Sequence, residues 1–258
     1  MIYIILGMHK SGTTLISEML HHSGIHMGDF DISENYDSGN KYERKETKYL
    51  NIKMLKCGNS FSLNVIKKID DKSVKKKFSS QIKEILSELN KTHRDWGFKD
   101  PRTCLTFPVW HELLNSYRLI AVYRDPLELW NHYKHRCSPR RPIKILMTCW
   151  NCVKAWYIYN RNIINYIKKM NNRTYIVINY NDFMNEDMEF DRLSRFINLP
   201  LNDRRDKSLY RSKKEKSFLY NLFYKIQKVF FSRDIDALLY HYKTLKPDLN
   251  KLLVEKAD

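Results

Sequence analysis

The sequence predicts an α/β domain of three layers, with a central, mainly parallel sheet flanked by helices on both faces. Three observations carry that expectation. Ile2 to Leu6 is a short, wholly apolar run ended by Gly7, as a strand buried on both faces would be. Tyr117 to Tyr123, "YRLIAVY", is a second such run, ended by Arg124 and followed at once by helix-start residues. Tyr175 to Ile178 is a third, placed after a long amphipathic stretch. Strands alternating with helices form parallel sheets, whose ligands bind at the carboxyl ends of the strands.

The first helix is expected over Thr13 to His22, with Leu15, Met19 and His22 on one side and Gly24 as its stop. Gly28 to Lys41 is polar and reads as a loop, and a helix follows from about Glu43 to Cys57. Lys67 to Asn90 places Ile82, Ile85, Leu86 and Leu89 at helical spacing opposite a lysine-rich, solvated face. After Arg124, Asp125 can cap a helix, Pro126 suits its first position, and Glu128 falls where a capping-box acid belongs. Ile145, Cys149, Cys152, Trp156, Tyr159, Ile163, Tyr166 and Met170 are spaced 4, 3, 4, 3, 4, 3, 4 and form the apolar stripe of a long helix. That stripe makes the Cys149–Cys152 pair core packing and not a zinc or redox motif, because no second close pair accompanies it. "SFLYNLFYKIQKVFF" is apolar almost all round, either a helix packed against the body or a membrane-surface helix.

At 258 residues the chain is expected to form a single domain over 1–258, with 203–258 a basic, helical portion placed to cover a nucleotide. The formal charge of +17 calls for phosphate, sulfate, an anionic polymer or a membrane surface as partner. Five cysteines, an odd number, and the lack of a secretory leader point to reduced thiols and a cytoplasmic location. No apolar run is long enough to span a membrane; peripheral contact through 204–231 stays open.

The loop between the first strand and helix, "GMHKSGTT", aims several backbone N–H groups at the positive end of a helix dipole, which is an anion site. In loops that bind magnesium nucleotides the lysine directly follows the second glycine. Here Lys10 precedes Gly12, so its ammonium lies within the loop. That placement, and the lack of an evident magnesium carboxylate, count against a small-molecule kinase. The aromatic residues mostly fit core stripes and do not interleave with arginine on one face, so no nucleic-acid partner is expected.

"GMHKSGTTLI" resembles the phosphosulfate loop of the sulfotransferases that use 3′-phosphoadenylyl sulfate (PAPS), a P-loop-containing family. Further stretches match in order: Asn35 to Glu43, Trp96 to Trp110 with its Lys-Asp-Pro-Arg, Tyr123 to His132, and Val177 to Leu201. The resemblance implies in-line sulfuryl transfer, with PAPS as donor, no metal required, and a sugar or polysaccharide hydroxyl as acceptor. It implies that Lys10 neutralises the departing phosphate, and that His9, Lys10, Ser11, Gly12, Thr13 and Thr14 bind the 5′-phosphosulfate. Arg124 would bind the 3′-phosphate, with His132 where the family usually has a serine. Glu43 would be the general base, with Asp100 as the alternative, and Lys99 would assist the moving sulfuryl group. A capping or salt-bridge role for Glu43 stays open beside catalysis. The basic run Arg204 to Lys216 would close over the nucleotide, grip an acidic acceptor or remain a solvated loop.

Overall fold

The computed structural model describes residues 1–29, 42–58, 63, 71–171, 174–210 and 215–245. Four parallel strands, β1 (Ile2–Leu6), β2 (Trp96–Lys99), β3 (Tyr117–Tyr123) and β4 (Tyr175–Asn179), lie in the order β2-β1-β3-β4. Ile2 pairs with Trp96 on one side and Tyr117 on the other, and Leu119 pairs with Tyr175. Successive residues of a strand point to opposite faces, and the two packing layers divide accordingly. Ile4, Leu6, Leu119, Ala121 and Val177 face one core, while Tyr3, Ile5, Ile120, Val122 and Ile176 face the other.

The second core is closed by α1 (Thr13–His22) and α8 (Asp187–Ile197), through Leu15, Ile16, Met19, Leu20, Leu193 and Ile197. The larger first core takes α2 (Lys45–Cys57), α3 (Asp71–Thr92), α4 (Thr103–His111), α6 (Pro142–Ile167) and α10 (Ile235–Thr244). The remaining helices are α5 (Pro126–Lys134), α7 (Tyr180–Asn185) and α9 (Phe218–Phe231). The α6 stripe is buried from Cys149 to Ile163, and burial pushes both thiols of the Cys149–Cys152 pair up, that of Cys149 to about 12. Core packing is therefore their role.

β2 and α4 are elements that the sequence patterns did not announce. β2 is four residues long and interrupted by Gly97, where a Cβ would stand 2.3 Å from the Tyr3 carbonyl, so only glycine allows the approach to β1. α4 is buried almost all round and contains Pro108. That proline removes a donor to the Cys104 carbonyl, and the Tyr166 hydroxyl donates to the same oxygen instead, at 3.4 Å.

Other expectations change in detail. His22 is exposed and shares a hydrogen bond with Tyr42, 3.1 Å away, instead of completing the α1 stripe. Gly24, φ +94°, is the stop as expected. In the basic run the Arg205 side chain is buried and pairs with Asp187 and Asp203, and Arg204 pairs with Glu18, while Arg204, Lys207 and Lys216 are exposed. Residues 211–214 of that run, the 30–41 loop and most of the Asn35 to Glu43 motif lie outside the described residues. Among the described residues no helix is long and apolar enough to cross a membrane.

Candidate active site

The carboxyl ends of β1, β2 and β3 converge where the order of the strands reverses about β1, the position at which an open α/β sheet leaves a crevice. The β1–α1 loop occupies its centre. Gly7 is needed because a Cβ there would lie 2.6 Å from both Thr13 Cγ2 and the Val122 carbonyl. Gly12 is needed twice over, by φ +92° and by the Tyr180 ring, whose nearest carbon would be 2.0 Å from an added Cβ. Lys10 itself takes the left-handed conformation at φ 69°, which turns the loop back so that the Ser11 N–H donates to the Met8 carbonyl at 3.1 Å.

Two buried side-chain atoms in this loop, His9 Nε2 and Ser11 Oγ, have no hydrogen-bond partner. Buried polar atoms are nearly always bonded, so a pair of orphans beside a helix N-terminus fits a polar occupant such as a phosphosulfate. The His9 ring is held neutral: burial, followed by the charges of Arg102, Lys99 and Lys10, drives its pKa down to about 3.

Lys99, at the end of β2, and Glu43, just before α2, form the centre of the charge network. Their side chains are each 2 % exposed, and Lys99 Nζ lies 3.1 Å from Glu43 Oε1 and 3.4 Å from Thr14 Oγ1. Burial pushes the Glu43 carboxyl up, an effect that the Lys99 charge opposes; burial pushes Lys99 down, with Glu43 opposing. The other carboxylate oxygen, Glu43 Oε2, makes no hydrogen bond and has Arg102 Nη1 at 3.8 Å.

Asp100 differs in kind. Its Oδ1 accepts from the Arg102 N–H and Nη1 at 3.0 and 2.8 Å, and its Oδ2 accepts from Asn51 Nδ2 at 2.9 Å. Asn51 in turn donates to Thr103 and accepts from Thr106 and Trp110, so Asp100 is fixed from both sides.

Glu43 is pinned by its neighbours in the chain. Ser17 Oγ donates to the Tyr42 carbonyl, and the buried Arg44 donates to the carbonyls of Gly97 and His26. None of Asn51, Arg44 and Arg102 was singled out by the sequence, although Arg102 lies in the Lys-Asp-Pro-Arg stretch.

Arg124, at the end of β3, meets Glu128, whose side chain is fully buried and accepts from Arg124 Nε at 2.7 Å. Asp125 caps α5, as expected, by accepting from Leu127 N. Arg124 Nη1 donates to the Lys10 carbonyl at 3.4 Å, and the guanidinium lies over the rings of Tyr180 and Tyr210, 5.2 and 5.4 Å from their centroids. His132 is half-buried one turn beyond Glu128, on the same side of α5, with its ring edge against Tyr133. The structure thus joins Lys10 to Arg124 and Thr14 to Lys99 and Glu43. Lys10, Lys99 and Arg102 outweigh Glu43 and Asp100 in charge, as suits an anionic ligand.

The fold and this loop together define an α/β protein with a site suited to an anionic ligand. The sequence profile of the sulfotransferase family matches residues 3–203, and the chain belongs to that family. No curated protein matches its sequence. Among solved structures it is similar to the sulfotransferase domain from the Synechococcus PCC 7002 olefin synthase, at 15 % identity and TM-score 0.51 over 96 % of this chain and 94 % of that one. It also matches the sulfotransferase domain from the curacin biosynthetic pathway, at 16 % identity and TM-score 0.48 over 95 % and 91 %.

Proposed function

We propose that the protein transfers a sulfuryl group from PAPS to a hydroxyl of a carbohydrate, with Glu43 as general base and Lys10 at the departing phosphate. The observation that carries this reading is the meeting of three segments on one ammonium. Lys99 touches both Thr14, in the first turn beyond the loop, and Glu43, so the base and the anion cradle share a wall. Glu43 suits the base role because Oε2 is uncommitted to any hydrogen bond while Oε1 is anchored. Asp100 suits it poorly, since both of its oxygens are already engaged.

When bound, PAPS supplies an electrophilic sulfur on a phosphate leaving group. The loop N–H groups with Ser11, Thr13 and Thr14 hold the phosphosulfate, and the Lys10 ammonium offsets the charge that grows on the bridging oxygen as its bond to sulfur breaks. Glu43 Oε2 takes the acceptor proton as the acceptor oxygen bonds to sulfur. Arg124, oriented by Glu128 and the Lys10 carbonyl with aromatic rings beside it, would bind the 3′-phosphate, and His132 adds a neighbouring imidazole. The carbohydrate acceptor follows from the likeness of Asn35 to Glu43 to bacterial members of the family. Transfer of labelled sulfate from PAPS to a glycan panel in excess EDTA tests the proposal. Turnover is expected with PAPS, and Lys10→Ala should lower it by at least about 100-fold with an unchanged melting temperature. Phosphoryl transfer from ATP, abolished by EDTA, would overturn it.

A further inference from the structure

We propose that the joint face of α6 and α9 docks on an anionic lipid bilayer. The inference is independent of the sulfuryl-transfer reading and rests on what these two helices carry. From Leu129 to Asn181, and again from Lys216 to Arg233, the sequence contains no aspartate or glutamate, while both stretches hold several lysines and arginines. The two helices pack together: the Trp150 ring meets Phe223 and Phe231 edge-on at 5.5 and 5.7 Å, and Gln227 donates to the Trp150 carbonyl.

The α9 sequence is apolar almost all round, yet only part of that surface is used in packing. Phe218, Val229 and Phe230 are 82 %, 74 % and 76 % exposed. On α6, Ile143 and Met147, 71 % and 61 % exposed, lie two turns and one turn before Trp150 and so on its side of the helix. Around them Arg140, Arg141 and Lys144 line a cleft of about 630 Å³. The acids nearest in sequence to α9 are Glu215, exposed just before its first turn, and Asp234 and Asp236, which are paired with Lys228.

Large apolar side chains that protrude among mostly basic ones match an interface in which the first enter the acyl boundary and the second meet anionic headgroups. A second copy of the chain would bring one basic face against another, at a formal charge of +17 each. A nucleic acid would satisfy the cations and stack on Phe218 and Phe230, but it would leave Val229, Ile143 and Met147 in water. At 14 residues, α9 is too short to span a bilayer and lies in its plane.

The test is co-sedimentation of the full chain with vesicles of phosphatidylcholine alone and of phosphatidylcholine with phosphatidylglycerol. The chain is expected to bind the second at least about tenfold more tightly than the first. The double variant Val229→Ser, Phe230→Ser removes only exposed groups and should melt as the parent does, yet bind phosphatidylglycerol vesicles about tenfold more weakly. Lys144→Glu should weaken binding in the same direction. The proposal is overturned if the parent fails to bind phosphatidylglycerol vesicles, or binds them no better than neutral ones. Equal binding by parent and double variant, with full competition by an RNA oligomer, overturns it too, because the face would then be a general polyanion surface.

Discussion

Replacing Glu43 by glutamine removes the charge that faces Lys99 and leaves the packing almost unchanged. The pair is 3.1 Å apart and each side chain is 2 % exposed, so Lys99 would keep a buried ammonium with its first counterion gone. Breaking a buried pair from one side ordinarily costs about 3 kcal/mol, but burial outweighs the Lys99 attraction and raises the Glu43 pKa, so the neutral amide stands in for the protonated acid that the fold favours. The melting temperature near pH 7 should therefore be no lower than that of the parent. Turnover should fall by at least about 100-fold, the contribution of a positioned general base. The double variant Glu43→Gln, Lys99→Met takes both charges out of the interior and should be at least as stable as the parent, with none of the rate. In the parent, the acid limb of kcat/KM should lie above the ordinary glutamate range, because burial raises the Glu43 pKa, and this limb should vanish in the variant. The sign for stability is opposite. A carboxyl with a raised folded pKa stabilises fully below its unfolded value of 4.5, and that contribution fades as pH rises through the folded value. Urea denaturation and labelled-sulfate transfer, each followed against pH, measure these quantities. A Glu43→Gln protein as active as the parent would refute the base assignment, and one that melts well below the parent near pH 7 would refute the burial argument.

Two further outcomes are expected. Gly12→Ala forces a methyl into the Tyr180 ring at φ +92°, and should lower stability by at least about 2 kcal/mol and abolish binding of adenosine 3′,5′-bisphosphate; an unaltered melt and binding isotherm would contradict the contact. Arg124→Lys cannot reproduce the fork shared by Glu128 and the Lys10 carbonyl, and calorimetry should show that ligand bound at least about tenfold more weakly, the loss of one charge-assisted bond.

What the sequence made legible depended on how each element is stabilised. β1 is an unbroken apolar run, and β3 and β4 are apolar but for Arg118 and Asn179, because helices cover both faces; α6 has a clean stripe because one side meets the core. β2 has no such run; it is a strand because Gly97 lets its backbone approach Tyr3, a tertiary fact. α4 gave no amphipathic signal since nearly every side is buried. The loop residues and Arg124 were readable from glycine spacing and a strand end. Asn51 was not, since a single asparagine on a helix acquires its meaning only from the four groups that meet it. Arg124 and Glu128 stand at ion-pair spacing, but a capping rule that considers only the helix does not announce the pair with the strand end. The burial of the Arg205 side chain was likewise hidden, because its partner Asp187 is unremarkable in pattern.

The middle strand of the sheet is also the earliest to leave the ribosome. Ile2 must wait for Trp96 and Tyr117 before either of its edges is satisfied, and Gly12 must wait for Tyr180 to support it from below. A nascent chain therefore carries the anion-binding loop long before anything can shape it. Any fragment stopped short of β4 should be inert toward nucleotides, however complete its N-terminal motifs.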